Sequence, residues 1–131
     1  MITVLVDHNI EGQAIMMWGK LSAEGWTDLL SMGLTTFAAV GLADDSSDRV
    51  VWRFAQENKM ILLTANRQMK GEDSLEQTIR EENTMASLPV LTVGNMYRLV
   101  ETEYREQCAT RLLDIVLDLE NHLGTGRIFI P

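Results

Sequence analysis

The amino-acid sequence predicts an α/β fold: one domain built as a three-layer α/β/α sandwich with a mainly parallel central sheet. Three observations carry that prediction. Residues 2–7, 60–64 and 88–93 are runs that are apolar at nearly every position, the signature of strands buried on both faces. Between them lie segments whose apolar residues recur at helical spacing, and alternation of that kind implies strand–helix–strand units. The chain is 131 residues long and 46% hydrophobic, the length of a single domain with enough apolar material for a core.

The elements follow in order. Ile2-Thr3-Val4-Leu5-Val6-Asp7 is a β-branched strand ending in a carboxylate. A helix is expected over about 11–23, with Ala14, Met17, Trp18 and Leu21 forming its buried stripe and Gly25 as its stop. Residues 28–32 read as a short helix closed by Gly33, and 35–40 as a strand. The polar loop 44–48 contains serines suited to N-capping a helix that runs to about Asn58, with Val51, Phe54 and Ala55 inward. Met60 to Thr64 forms the second strong strand, followed by the polar segment Ala65 to Gln68. A short helix is expected near 74–82 with Leu75 and Ile79 inward. The third strong strand spans 88–93, where Pro89 is tolerable near the start. A long helical pattern covers about 96–123, with a break near Glu101, and carries Cys108, Leu112, Ile115, Val116, Leu119 and Leu123. Gly124-Thr125-Gly126 ends it, and 127–130 is a closing strand.

Composition excludes several classes of function. Lys and Arg number 11 against 19 Asp and Glu, a formal charge of −8 that repels phosphate backbones and disfavours broad nucleic-acid binding. Carboxylates that hold a cation reverse that charge locally, so a metal-dependent nuclease remains compatible. C-x-x-C, H-E-x-x-H, G-x-G-x-x-G and Walker A patterns are absent, which argues against cysteine zinc sites, dinucleotide folds and P-loop chemistry. No apolar run approaches the roughly 18 residues of a membrane span, and no signal-peptide pattern opens the chain. The single Cys108 reads as a small buried hydrophobe, and a cytoplasmic setting is expected.

In open parallel sheets ligands bind beyond the carboxyl ends of the strands. Asp7, His8 and Asn9 follow the first strand, Asn66 follows the second strong strand, and Gly94 and Asn95 follow the third. Asp44, Asp45 and Asp48 lie on the loop and first turn of a helix. Clustered carboxylates repel one another, and a divalent cation relieves the repulsion; ligands that are all oxygen favour Mg²⁺ or Mn²⁺. A cation there could activate water and neutralise a phosphodiester in its transition state. Each residue also has a plainer reading: Asp7 as a strand-end cap, Asp48 as a carboxylate favoured by a helix dipole, Asn66 as a turn former, and Asp44 and Asp45 as solvated loop charges. His8 reads as an exposed histidine or a rim base, and His122 as a helix C-terminal cation. Trp18 and Trp52 read as core or interface, Trp26 as partly exposed, and the eight methionines as adaptable packing.

Several segments together resemble compact PIN-like domains. Leu5-Val6-Asp7-His8-Asn9 resembles their strand, Asp, x, Asn opening; residues 48–55 resemble their Asp followed by an apolar helix and Ala; Ile61-Leu62-Leu63-Thr64-Ala65-Asn66-Arg67 resembles their apolar strand, Thr, x, Asp segment; and Leu88-Pro89-Val90-Leu91-Thr92 matches the small later strand. The spacing from Asp48 to Thr64 suits the family, and the similarity covers roughly residues 1–95. The resemblance implies a Mg²⁺- or Mn²⁺-dependent ribonuclease, or a relative of the toxins of toxin–antitoxin pairs, with RNA as substrate. Asp7 and Asp48 would hold the cation, Asn66 would stand as the third ligand, and Asp45 is a further candidate. Two departures matter. Asn66 replaces the third acid with a neutral oxygen that cannot act as a base, and Gln68 stands where a second Asp is common. The family's further acid has no clear counterpart, and Asp44, Asp45, Glu72 or Asp73 would have to compensate.

Three functions from different classes are therefore in view. The first is a metal-dependent RNA nuclease. The second is a PIN-like fold without catalysis that serves as an interaction module, through a homodimer or an antitoxin-like protein partner. The third is a domain binding a small phosphorylated ligand at the strand ends near Gly94.

Overall fold

A computed structural model describes residues 1–66 and 71–131. Five strands form one sheet in the order β2-β1-β3-β4-β5, every neighbouring pair parallel. They are β1 (Ile2–Val6), β2 (Met32–Thr36), β3 (Met60–Thr64), β4 (Val90–Val93) and β5 (Arg127–Ile130). The helices are α1 (Glu11–Ala23), α2 (Trp26–Leu29), α3 (Phe37–Val40), α4 (Asp48–Glu57), α5 (Leu75–Glu82) and α6 (Thr102–Leu117). Among the described residues no helix is long and apolar enough to cross a membrane.

The strands read as uniformly apolar because both faces are covered. Val4, Leu5 and Val6 are all fully buried, yet they belong to two separate cores. Val4, Val6, Ile61, Leu63, Leu91 and Val93 point to one side, where Met17 and Trp18 of α1 meet Leu112 and Ile115 of α6. Leu5, Leu62 and Val90 point to the other, against Phe37, Val51, Trp52 and Leu75. This period-two division of an all-apolar strand is what a parallel sheet between two helical layers requires. The α/β/α sandwich predicted from the sequence is the observed architecture.

The boundaries differ in several places: β4 begins at Val90 rather than Leu88, whose carbonyl and N–H bond the Gln56 side chain instead. The strand expected at 35–40 is shifted: β2 ends at Thr36, whose hydroxyl then accepts the Ala39 N–H (3.2 Å) and caps α3. Gly41, at φ 81°, terminates that short helix. The helix expected at 28–32 begins earlier, at Trp26, and Met32 already belongs to the sheet. The break expected near Glu101 is present. A 3-10 turn (Met96–Val100) precedes α6, which stops at Leu117 rather than continuing to Leu123; a further 3-10 turn covers Leu119–His122.

Helices α4 and α5 are tied together by charge. Arg49 meets Asp73 (3.0 Å), Glu81 (3.1 Å) and Glu82 (2.5 Å), and Arg53 meets Glu82 (2.8 Å). The two guanidiniums hold the Glu82 carboxyl below its usual range against the opposing effect of burial. On the other face Lys20 of α1 pairs with Glu106 of α6. Cys108 is fully buried, and burial pushes its thiol up to about 11.

Candidate functional site

The strand order fixes where a site can form. The chain steps from β1 to β2 on one side and returns to β3 on the other, so β1 and β3 flank the switch point, where a crevice opens beyond the carboxyl ends of the strands. A pocket of about 290 Å³ lies there. Phe37, Val51, Leu62 and Leu75 supply its apolar lining; Asp7, Asp44, Asp48, Ser46, Thr64 and Asn66 supply its polar one.

Asp7 comes directly after β1. Its backbone N–H donates to the Leu63 carbonyl (2.9 Å), extending the β1–β3 ladder by one residue. Its side chain caps the following 3-10 turn by accepting the Asn9 N–H on Oδ1 (3.4 Å). Oδ2 accepts the hydroxyl of Thr64 at the end of β3 (2.7 Å). Thr64 is buried, and its Oγ1 also accepts the Asn66 N–H (3.0 Å).

Asp48 arrives from the other helical layer. Ser47 N-caps α4 by accepting the Val50 N–H (3.2 Å), which leaves Asp48 in the first turn. There its Oδ2 accepts two donors, the Asn66 Nδ2 amide (2.8 Å) and the Leu75 N–H that opens α5 (3.0 Å). Among the described residues no hydrogen bond reaches Asp48 Oδ1. A continuous chain thus joins the two carboxylates: Asp7, Thr64, Asn66, Asp48.

The remaining candidates divide. Asp44 lines the pocket, and His8 Nδ1 lies 3.4 Å from it and 3.5 Å from Glu11, so His8 sits on the rim among carboxylates. Asp45 is exposed and outside the pocket lining, so the loop presents its neighbour Asp44 instead. Asp73 is engaged by Arg49, and Glu72 gives its backbone oxygen to the same guanidinium (2.5 Å); neither lines the pocket. Gln68 lies outside the described residues. His122 turns Nδ1 to the Asp118 carbonyl (2.9 Å) at the far end of α6. A Cβ placed on Gly94 would meet only ordinary contacts, at 3.7 Å or more, and the Gly94 N–H already donates to the Ile130 carbonyl (3.0 Å). That glycine does not create a close-approach cradle for phosphate.

Sequence reasoning missed Arg127. This residue opens β5 with a side chain only 7% exposed, and its Nη1 donates to the Asn66 carbonyl (2.6 Å) and to Thr92 Oγ1 (3.1 Å). A charged residue heading an otherwise apolar strand was the available signal.

The donor set suits a hard cation only in part. Among the described residues no group of three or more His, Cys, Asp or Glu is close enough to hold a metal ion. What the pocket offers is two hydrogen-bonded carboxylates, a neighbouring third at Asp44, and neutral oxygens from Ser46 and Asn66. Mg²⁺ retains several waters and commonly takes just one or two protein carboxylates beside substrate phosphate, so such a set fits a weak Mg²⁺ or Mn²⁺ site and not a preformed cage. No protein-family model matches the chain, and neither a curated protein nor a solved structure matches it.

Proposed function

We propose that this protein is a Mg²⁺- or Mn²⁺-dependent nuclease of PIN-like type that cleaves RNA. The observation that supports this most is the meeting of Asp7 and Asp48, distant in sequence, in one polar pocket at the switch point of the sheet. A divalent cation bound there would supply a Lewis acid and an activated water for phosphodiester hydrolysis. Asp7 and Asp48 would hold it, Asn66 would offer a neutral oxygen or a water, and Asp44 would add negative charge at the rim. Thr64 orients Asp7, and the α5 N-terminus orients Asp48. A cytoplasmic setting fits the buried, unpaired thiol of Cys108.

Incubation of structured and single-stranded RNA with Mn²⁺ tests the reading, using wild type beside Asp7→Asn and Asp48→Asn. Cleavage by wild type, abolished in both variants while they remain folded, is the expected result. No cleavage of any RNA at millimolar Mn²⁺ would count against it.

One observation favours a second reading, a PIN-like interaction module without catalysis. The Thr64 hydroxyl and the Asn66 amide already engage Asp7 and Asp48, so the two carboxylates are held by hydrogen bonds without a cation. Exposed Ile15 and Met16 on α1 and Leu117 on α6 would then contribute to a homodimer or a protein-partner surface.

A further inference from the structure

The buried guanidinium beside the pocket has no role in the cation reading. Arg127 pairs with Val90 at the start of β4, and its side chain runs along the sheet beneath α5 to reach the loop after β3. It has two anchors, the Asn66 carbonyl and Thr92 Oγ1, while Nε lies 3.5 Å from Glu76. Nε and Nη2 make no hydrogen bond among the described residues. A buried cation is costly to maintain, so its placement calls for a compensating role.

The contacts define that role. Nη1 holds the backbone of the residue whose side-chain amide reaches Asp48. Burial lowers the guanidinium pKa, and the charges of Glu76 and Asp48 offset only part of that. Nη1 carries both bonds, and the planar guanidinium fixes the directions of its two N–H groups, whereas the N–H groups of a lysine ammonium rotate.

We propose that Arg127 is the positioning residue of the site: it clamps the Asn66 carbonyl so that the Asn66 amide is presented to Asp48 before any cation arrives. This rests on the site assignment above and deepens it, because the Asp48 corner then owes its geometry to the last strand of the sheet. Glu76 keeps a second partner in Arg80 (3.6 Å), so replacing Arg127 does not strand it.

The test follows the Asn66 side-chain amide by NMR in cation-free protein, in wild type, Arg127→Met and Arg127→Lys. Leu112→Ala, which opens the core on the opposite face of the sheet, serves as a control for general destabilisation. In Arg127→Met the amide protons move to solvent-like shifts and exchange roughly tenfold faster, the change expected on losing one hydrogen bond to a charged acceptor. Arg127→Lys lies between, because a rotatable ammonium on a flexible stem holds the anchors less rigidly than the planar guanidinium, and Leu112→Ala leaves the amide unmoved. An unchanged amide in folded Arg127→Met would overturn the proposal; if that variant does not fold, an unchanged amide in Arg127→Lys does so. A Mn²⁺ titration of the same samples separates the two claims. An amide that moves in a protein that never binds Mn²⁺ leaves the clamp standing and removes the cation reading.

Discussion

Replacing Asn66 with Asp restores the acid that the PIN-like resemblance leads one to expect, and the structure allows its cost to be worked out. In wild type the Asn66 amide donates to Asp48 Oδ2 at 2.8 Å. The new carboxylate removes that bond, worth about 1.5–3 kcal/mol with a charged acceptor. It also places a second negative charge beside the first, and at about 4 Å with an effective dielectric of about 20 the repulsion is about 4 kcal/mol. The terms do not add freely, because one carboxyl can take up a proton and remake the hydrogen bond. Holding that proton at pH 7 on a group with an ordinary value near 4 costs about 4 kcal/mol, which caps the penalty. Arg127 on the Asn66 carbonyl reduces it further. A loss of about 3 kcal/mol is expected, or roughly 12 °C in melting temperature for a chain of this size.

Melting of Asn66→Asp and wild type in EDTA and in Mn²⁺, at pH 7 and pH 5, is the assay. The deficit should be largest in EDTA at pH 7 and shrink at pH 5, where the shared proton is cheaper to hold. Mn²⁺ at about 100 times its dissociation constant should return about 2.7 kcal/mol to the variant, and less to wild type, which binds more weakly. A variant as stable as wild type in EDTA would refute the electrostatic reasoning. One that Mn²⁺ leaves unmoved would refute the cation site.

Two further predictions concern the scaffold. Glu82 has a folded value below its ordinary 4.5, chiefly through its hydrogen bond with Arg53, so its contribution is present above that value and is lost as pH falls through the lower folded one. Wild type should therefore lose stability in that acid window, and Glu82→Gln should start less stable and show a flatter curve in urea titrations across it. Gly124 adopts φ 81°, and an added Cβ would meet the Met85 backbone at 3.0 Å. Gly124→Ala should cost about 1–3 kcal/mol in chemical denaturation, and a neutral result would show that the 83–87 turn gives way.

How much of this was legible in the sequence depended on burial. β1, β3 and β4 stood out because both of their faces are covered, so nothing polar interrupts them. β2 did not: it sits at the sheet edge with Gly33, Thr35 and Thr36 in its five residues, and the apolar run that looked like its strand is the short helix capped by Thr36. The gathering of Asp7 and Asn66 followed from strand ends, because parallel strands deliver their carboxyl ends to one rim, and Asp48 joins them from the first turn of α4. The choice between Asp44 and Asp45 did not, since the backbone of an irregular loop decides which side chain turns inward. Arg127 was marked only as a charge heading an apolar strand, and its role was not legible for a different reason. Its function depends on the reach of a long side chain along the sheet toward the Asn66 loop, a distance that linear spacing does not encode.

The central claim is that Asp7 and Asp48 form a divalent-cation site, and a calorimetric titration of Mn²⁺ into wild type and Asp7→Asn tests it most directly. Asparagine at position 7 keeps an oxygen to accept the Thr64 hydroxyl and gives up only the longer bond from the Asn9 N–H, so the variant should fold. Weak saturable binding to wild type, absent in Asp7→Asn and accompanied by a rise in melting temperature only for wild type, is the predicted result. Equal heats for the two proteins, or none for either, would contradict it and leave the interaction-module reading in its place.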